Sequence, residues 1–368
     1  MKVLFVIPTL TSGGAERVAV AVLGGLDGAR YERALYLFSA DHAVYLHRVA
    51  PGIRVIVARE HSWIGRMREL AAYLGEFKPD IVMPFLSYFI TAVAVRVAGV
   101  RSTVIFNQGT PTSGFLEDAD FQWRRPWRRR LFAAMTRFFY ARADAVVATS
   151  TGVADDLVTN YGVPRSKIRT LHNPVDLDAI AQQSREDVAA GLAADAPVVA
   201  AAGRLAGVKN YPLLIDAIAE LKPRVHAWIL GEGPERARLE SLANERGVGP
   251  LVRFLGFQPN PWSYIARADV FALTSTYEGF GNVLIEAMAC GTPVVATRSV
   301  GTIEIIQNEI NGLLVEASPS AVAAAINRVL HDRELRDRLV TRARKDVEHY
   351  ALPNVAARYE ALFQQVAA

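Results

Sequence analysis

The 368-residue chain contains one cysteine, Cys290. A single thiol builds neither a disulfide framework nor a cysteine-rich metal site, and it fits a reducing compartment. Long apolar runs are missing as well: no stretch approaches the roughly 20 residues that span a bilayer as a helix. The opening run Lys2-Val3-Leu4-Phe5-Val6-Ile7-Pro8 is too short for a secretory leader, and Gly13-Gly14-Ala15-Glu16-Arg17 follows where a cleavage site would stand. Charge of one sign does not dominate, since 41 Lys and Arg against 37 Asp and Glu leave +4. That excess admits a phosphate-bearing ligand or an anionic membrane and requires neither. No internal repeat or low-complexity segment is present. These absences predict a cytoplasmic protein, soluble or peripheral at the inner face of the plasma membrane.

What is present suits two globular cores: hydrophobic residues make up 51% and charged residues 21%. Continuous apolar runs at 3–7, 34–38, 53–57, 81–85, 103–106 and 145–149 read as strands, the first as one buried on both faces. Helical patterns lie between most of them, including 63–76 and 90–98. A second series starts at Pro197, with strands at 198–202, 227–230, 252–254, 270–274, 294–296 and 313–315, and helices near 211–221, 234–246 and 318–331. Strand and helix alternating in this way predict doubly wound α/β domains. The signal weakens from Ile168 to about Ala190, where Asn173-Pro174-Val175-Asp176 breaks the pattern. The predicted division is a first domain at 1–172, a linker at 173–190, a second domain at 191–352 and a closing segment at 353–368, within a tail of helices broken near Pro353.

The most informative stretch runs from Thr274 to Ala289. The buried strand 269–273 leads into a loop with Glu278, Gly279, Phe280 and Gly281, then a helix that carries Glu286 and stops at Cys290-Gly291-Thr292-Pro293. A strand–loop–helix turn in a parallel sheet presents backbone N–H groups at the helix start, and glycines let a ligand approach closely. Ionised carboxylates only accept hydrogen bonds, so Glu278 and Glu286 suit sugar hydroxyls and would repel a phosphate. A helix-capping loop with a surface glutamate reads equally well from the spacing alone.

Gly203-Arg204-Leu205 ends the first strand of the second series, and Lys209 follows. Cations at a strand's carboxyl end point into a ligand crevice, where Arg offers a fork and Lys a point charge for phosphate oxygens; solvated loop cations are the alternative. Gly231-Glu232-Gly233-Pro234 ends the next strand and opens a helix at the proline, as ordinary turn chemistry also would. Gly13-Gly14, before the first helix, reads as a tight turn or a ligand loop. Asn107-Gln108-Gly109-Thr110 closes the fifth strand of the first series, where Asn107 is a turn former or a hydroxyl-binding amide. His42, His47 and His61, in early loops or helices, and His172, which ends a strand near the linker, are poor catalytic candidates. Asp118-Ala119-Asp120 has a metal-binding form but lies in a polar loop and reads as a solvated acidic turn.

A basic stretch runs from Gln122 through Arg130 to Phe139, with Pro126 at a first helical position. At about 100° per residue, Trp127, Leu131, Met135 and Phe138 share one face; Arg129, Arg130 and Arg137 fall opposite, and Arg128 sits at the apolar edge. Such a helix suits an anionic membrane surface or a lipid diphosphate. Alternatively its apolar face packs under the first sheet and the arginines are solvated. Nothing else favours nucleic acid.

Glu278, seven residues, then Glu286, with Gly-Phe-Gly inside, resembles the family 4 retaining glycosyltransferases, and the similarity extends over essentially the whole chain. The resemblance implies a GT-B fold, two Rossmann-like domains facing across a cleft, with a last helix over 355–366 crossing back to the first. It implies transfer of a sugar from a nucleotide sugar, UDP-linked, to an acceptor hydroxyl with retention, without a cofactor or metal. In the family, residues matching Arg204 and Lys209 hold the leaving diphosphate. Glu278 and the Gly279–Gly281 backbone hold the donor sugar; Asn282 and Val283 assist the phosphates; Glu286 meets the ribose; Gly203, Gly231, Gly233, Gly13 and Gly14 line the donor site. Many relatives carry a histidine where this chain has Asn107. An amide cannot act as a base, so the acceptor proton is expected to leave on the phosphate oxygen. The acceptor implied is a glycan or lipid-diphosphate-linked glycan near Trp127, Arg128, Arg129 and Arg130. A nucleotide-sugar 2-epimerase of this architecture and a non-catalytic nucleotide-sugar-binding subunit are the alternatives.

Overall fold

The computed structural model describes residues 1–11, 13–117, 126–188, 196–222 and 224–367, with only the backbone at 115–117 and 126. The acidic turn at 118–120 and residues 122–125 of the basic stretch lie outside them. Two compact units emerge, one of residues 1–117, 126–174 and 352–367 and one of residues 175–351.

The first unit is built from β1 (Lys2–Ile7), α1 (Gly14–Gly25), β2 (Glu32–Leu37), β3 (Arg54–Val57), α2 (Trp63–Phe77), β4 (Ile81–Pro84), α3 (Tyr88–Ala98), β5 (Thr103–Gln108), α4 (Thr112–Glu117), α5 (Pro126–Tyr140), β6 (Ala145–Ala148), α6 (Thr151–Tyr161) and β7 (Ile168–Thr170). Its parallel sheet has the order β3-β2-β1-β4-β5-β6-β7. β1 is fully buried from Val3 to Ile7, as a central strand covered on both faces must be.

The second unit comprises α7 (Leu177–Gln183), β8 (Val198–Ala202), α8 (Tyr211–Glu220), β9 (His226–Leu230), α9 (Arg236–Glu245), β10 (Val252–Gly256), α10 (Trp262–Ile265), β11 (Val270–Leu273), α11 (Asn282–Cys290), β12 (Val294–Thr297), α12 (Thr302–Ile305), β13 (Leu313–Val315), α13 (Pro319–His331) and α14 (Arg333–Asp346). The sheet order is β10-β9-β8-β11-β12-β13, all parallel. The chain then returns to the first unit as α15 (Leu352–Ala367), which lies on α1. A methyl group at Gly25 would come within 2.9 Å of Leu352, and Val355, Tyr359, Leu362 and Phe363 join the core formed with β1 and α1.

Three expectations change. The segment read as linker contains α7, whose Asp176 caps it by accepting from the Ala179 N–H at 3.0 Å; Ile180 is buried in the second unit's core. The helix after Gly233 begins at Arg236, two residues beyond Pro234. On α5 the apolar stripe is not the packed face: Trp127, Leu131 and Phe138 are about half exposed (56%, 48% and 50%), while Phe132 and Phe139 pack on Phe89 and Tyr140 is buried.

Candidate active site on the second unit

In a doubly wound sheet the crevice opens at the carboxyl ends of the two strands where the winding reverses. In the second unit that point falls between β8 and β11, because β9 and β10 lie on one side of β8 and β11, β12 and β13 on the other. Arg204 and Lys209 follow β8; Glu278 follows β11. The structure brings Lys209 and Glu278 together, with Nζ 2.6 Å from Oε1 and the side chains 20% and 13% exposed. Ser275, 1% exposed, donates its hydroxyl to the same carboxylate oxygen at 2.7 Å.

The two loops are tied to each other. The Thr274 hydroxyl lies 3.1 Å from the carbonyls of Lys209 and Asn210, and Thr276 donates to the Val208 carbonyl from its N–H at 2.9 Å and from its hydroxyl at 3.1 Å. These bonds fix the 3₁₀ turn Gly207–Lys209 against the end of β11 and so hold the ammonium over Glu278. Tyr211, 3% exposed, donates to the Gly203 carbonyl at 3.1 Å. Burial, with the Glu278 carboxylate adding, pushes its phenol well up, so the hydroxyl stays a neutral donor. Arg204 itself is exposed on this loop.

The glycines after β9 have a packing reason. A Cβ on Gly231 would stand 2.0 Å from the Gly203 oxygen, and one on Gly233 2.3 Å from the Leu205 oxygen. Backbone lies against backbone here, and the Leu205 N–H donates to the Glu232 carbonyl at 2.8 Å. Gly231 and Gly233 therefore set the position of the Arg204 loop. Phe280 needs a correction also. Its ring is 2% exposed, in the core edge-on to Tyr350, so its side chain is withdrawn from any ligand. Gly281 caps α11 at φ +95°, a left-handed conformation suited to glycine. Asn282 and Val283 form the first turn, where a helix's N–H groups point out of its end and favour negative charge. Glu286, one turn on, is 4% exposed, and its Oε2 accepts from the Trp262 indole N–H at 2.8 Å.

The first unit's winding reverses between β1 and β4. Gly13 and Gly14 follow β1, and the Glu16 carboxyl folds back over Gly13 with the Thr11 hydroxyl 3.1 Å away; burial pushes its pKa up. Asn107 differs from expectation. It lies inside β5, 3% exposed, and its amide donates to the Tyr359 hydroxyl of α15 at 2.9 Å. That geometry makes it a tie between strand and helix. Sequence reasoning missed Thr274, Ser275, Thr276, Tyr211 and Trp262. The run of three hydroxyl residues before Glu278 was a signal; Trp262 gave none.

Two parallel-sheet Rossmann-like units, the second with paired cation and carboxylate loops at its switch point, define the GT-B class of fold. Residues 12–179 match the model for Glycosyltransferase Family 4 and residues 182–346 that for Glycosyl transferases group 1. The chain belongs to the family 4 glycosyltransferases. It is 38% identical over 209 residues to the lipopolysaccharide core biosynthesis glycosyltransferase LpsE of Rhizobium meliloti, covering 56% of this chain and 60% of that protein. It is 33% identical over 247 residues to the Campylobacter jejuni N-acetylgalactosamine-N,N'-diacetylbacillosaminyl-diphospho-undecaprenol 4-alpha-N-acetylgalactosaminyltransferase, covering 67% of this chain and 65% of that protein. The matches thus span about three-fifths of these relatives' length. Among solved structures, Anabaena HepE in complex with UDP-glucose superposes with a TM-score of 0.82 over 99% of this chain and 100% of that one, at 22% identity.

Proposed function

We propose that the chain transfers a sugar from a UDP-linked donor to an acceptor hydroxyl with retention of configuration. The observation that carries this is the Lys209–Glu278 pair beside Arg204 at the second unit's switch point. Arg204 and Lys209 offset the charge on the departing diphosphate, which supplies without a metal the stabilisation such a leaving group needs. Glu278 and the Gly279–Gly281 backbone receive the donor sugar's hydroxyls, the first turn of α11 faces the phosphates, and Glu286 accepts from the ribose. Family membership and the UDP and UDP-glucose held by HepE support the donor class. The relatives named above are transferases, and nothing in the comparisons favours a 2-epimerase. Calorimetric titration with UDP, paired with a donor-hydrolysis assay that needs no acceptor, tests the reading. Binding in the micromolar range and slow UDP release, both lost in Arg204→Ala by well over tenfold, are expected. A chain that binds no UDP, or an Arg204→Ala variant with wild-type behaviour, overturns it.

The acceptor we favour is a lipid-diphosphate-linked glycan at an anionic membrane surface. The Campylobacter relative's name includes a diphospho-undecaprenol substrate. The exposed Trp127, Leu131 and Phe138 of α5 are interspersed with Arg128, Arg129, Arg130 and Arg137, and Trp63 and Ile64 at the start of α2 are 57% and 55% exposed. Among the described residues no helix is long and apolar enough to cross a membrane, so contact would be at the surface. Near anionic lipid each cation contributes about 1 kcal/mol. Co-sedimentation with vesicles containing phosphatidylglycerol should fall sharply when Arg128, Arg129 and Arg130 become Glu. Equal sedimentation removes α5 from the proposal.

A further inference from the structure

We infer that the loop after β12 sets how the chain grips the sugar of its donor, with Thr297 and Gly301 as positioning residues that direct Glu278. This rests on the donor reading above, in which Glu278 receives the sugar's hydroxyls.

β12 is the neighbour of β11 in the sheet, so its carboxyl end comes out beside the Glu278 loop. The two loops are fastened together. The hydroxyl of Thr297, the last residue of β12, donates to the Ser275 carbonyl at 2.9 Å, with the Leu273 carbonyl further off at 3.5 Å. The Gly301 N–H donates to the Glu278 carbonyl at 3.0 Å. Gly301 also lies on the Phe280 backbone, where a Cβ would stand 2.7 Å from the Cα and from the oxygen. The end of β12 is held in turn by Thr302, whose hydroxyl accepts from the Ser299 N–H at 2.7 Å and donates to the Thr297 carbonyl at 2.8 Å. Thr297, Thr302 and Ser275 are all buried. A buried hydroxyl or carbonyl that loses its partner is costly, so these bonds resist sliding.

The consequence falls on the carboxylate. Ser275 donates to Glu278 Oε1 at 2.7 Å, the oxygen that Lys209 also engages. The chain of bonds from Thr302 through Thr297 and Ser275 therefore ends on the group proposed to meet the sugar. A diphosphate that draws Lys209 away leaves the Ser275 bond in place, and the carboxylate keeps the direction set from β12. Gly301 fixes the backbone of the same residue. Thr297 and Gly301 thus act on the sugar through Glu278.

The test is the affinity for a nucleotide sugar relative to that for UDP. Dissociation constants for UDP, UDP-glucose, UDP-galactose and their two N-acetyl counterparts are measured in the unmodified chain and in Glu278→Gln. That pair identifies the donor whose binding Glu278 supports. For this donor, Thr297→Val and Gly301→Ala should each lower the donor-to-UDP affinity ratio by about fivefold or more, the scale of hydrogen bonds to a charged acceptor. UDP affinity in Thr297→Val should stay within about threefold. Thr297→Ser keeps the hydroxyl and should keep the ratio. An unchanged ratio in Thr297→Val or Gly301→Ala, or an equal fall in Thr297→Ser, overturns the inference. So does a Thr297→Val variant that weakens both ligands alike, since that is the mark of a loosened fold. If Glu278→Gln leaves every ratio unchanged, the sugar assignment of Glu278 has failed instead, and the inference with it. Failure to bind UDP at all overturns the donor reading as a whole. A second measurement needs no variant: hydrogen exchange at the Gly301 amide should slow more with that donor than with UDP. Equal slowing, or none, counts against the inference even if the variants do not fold.

Discussion

Replacing Lys209 by alanine asks whether its ammonium serves a diphosphate or only the fold. The Nζ lies 2.6 Å from Glu278 Oε1, and 20% of the lysine side chain and 13% of the glutamate side chain remain exposed. A charge-assisted hydrogen bond contributes about 1.5–3 kcal/mol. Solvent reaches both groups, and Ser275 still donates to the carboxylate, so Lys209→Ala should cost only about 1–2 kcal/mol of stability. Turnover should lose more. Removing one preorganised group that stabilises developing charge typically lowers turnover by about 10²–10³. Urea denaturation and UDP-release rates on Lys209→Ala, Glu278→Gln and the double variant separate the two effects. The stability changes should couple by about 1 kcal/mol, since the two groups share one contact, whereas turnover should not recover in the double variant. A folded Lys209→Ala with near wild-type turnover, or an active double variant, would refute the assignment of Lys209 to the leaving group.

Gly231→Ala would drive a methyl group to 2.0 Å from the Gly203 oxygen at φ +133°, so it should destabilise the second unit by about 2–4 kcal/mol and weaken UDP binding through the Arg204 loop. An unchanged urea midpoint would show that the close approach is not as described. Tyr359→Phe removes the hydroxyl that accepts from Asn107 and should cost about 1–2 kcal/mol of stability with no change in UDP affinity. Lower turnover at unchanged stability would return Asn107 to the reacting groups. Burial and then the Glu286 carboxylate push the Cys290 thiol up to about 12, against a smaller opposing effect of Arg344. A raised thiol pKa means scarce thiolate, so at pH 8 alkylation by iodoacetamide should run about a thousandfold or more below that of free cysteine. Labelling as fast as free cysteine, followed by mass spectrometry, would contradict the burial.

The strands were legible because a parallel sheet covered on both faces demands continuous apolar runs, and runs such as Val3–Ile7 have few other readings. β7 was legible only as a strand ending near His172, without bounds, because Ile168-Arg169-Thr170 is short, lies at the sheet's edge and buries only its first residue. α7 was hidden by Asn173-Pro174 before it and by glutamines on its solvent side. α5 shows where periodicity fails: it carries apolar residues nearly all round, and the wheel selected Trp127, Leu131 and Phe138, while the core took Phe132 and Phe139 by shape against Phe89. The motif residues could be named from type and local setting. Their partners could not, because Lys209 meets Glu278 across 69 positions and Asn107 meets Tyr359 across 252, and only the strand order of the second sheet and the return of α15 to the first unit bring these pairs together.

Strand order also explains why opposite charges share this site. Loops leaving β8 and β11 diverge at the switch point, one bringing cations and the other carboxylates, and the Thr274 and Thr276 bonds keep them from drifting apart. Without a ligand Lys209 and Glu278 satisfy each other, which limits the cost of holding both partly out of water. On the proposed reading a nucleotide sugar divides them along its own polarity: the diphosphate competes with Glu278 for the ammonium, and neutral sugar hydroxyls donate to the carboxylate the lysine has left. A nucleotide without its sugar fills only one of these places, so it would leave Glu278 with Ser275 alone. On that reading the pairing would favour the intact donor over the spent nucleotide, the direction a transferase needs if product is to leave.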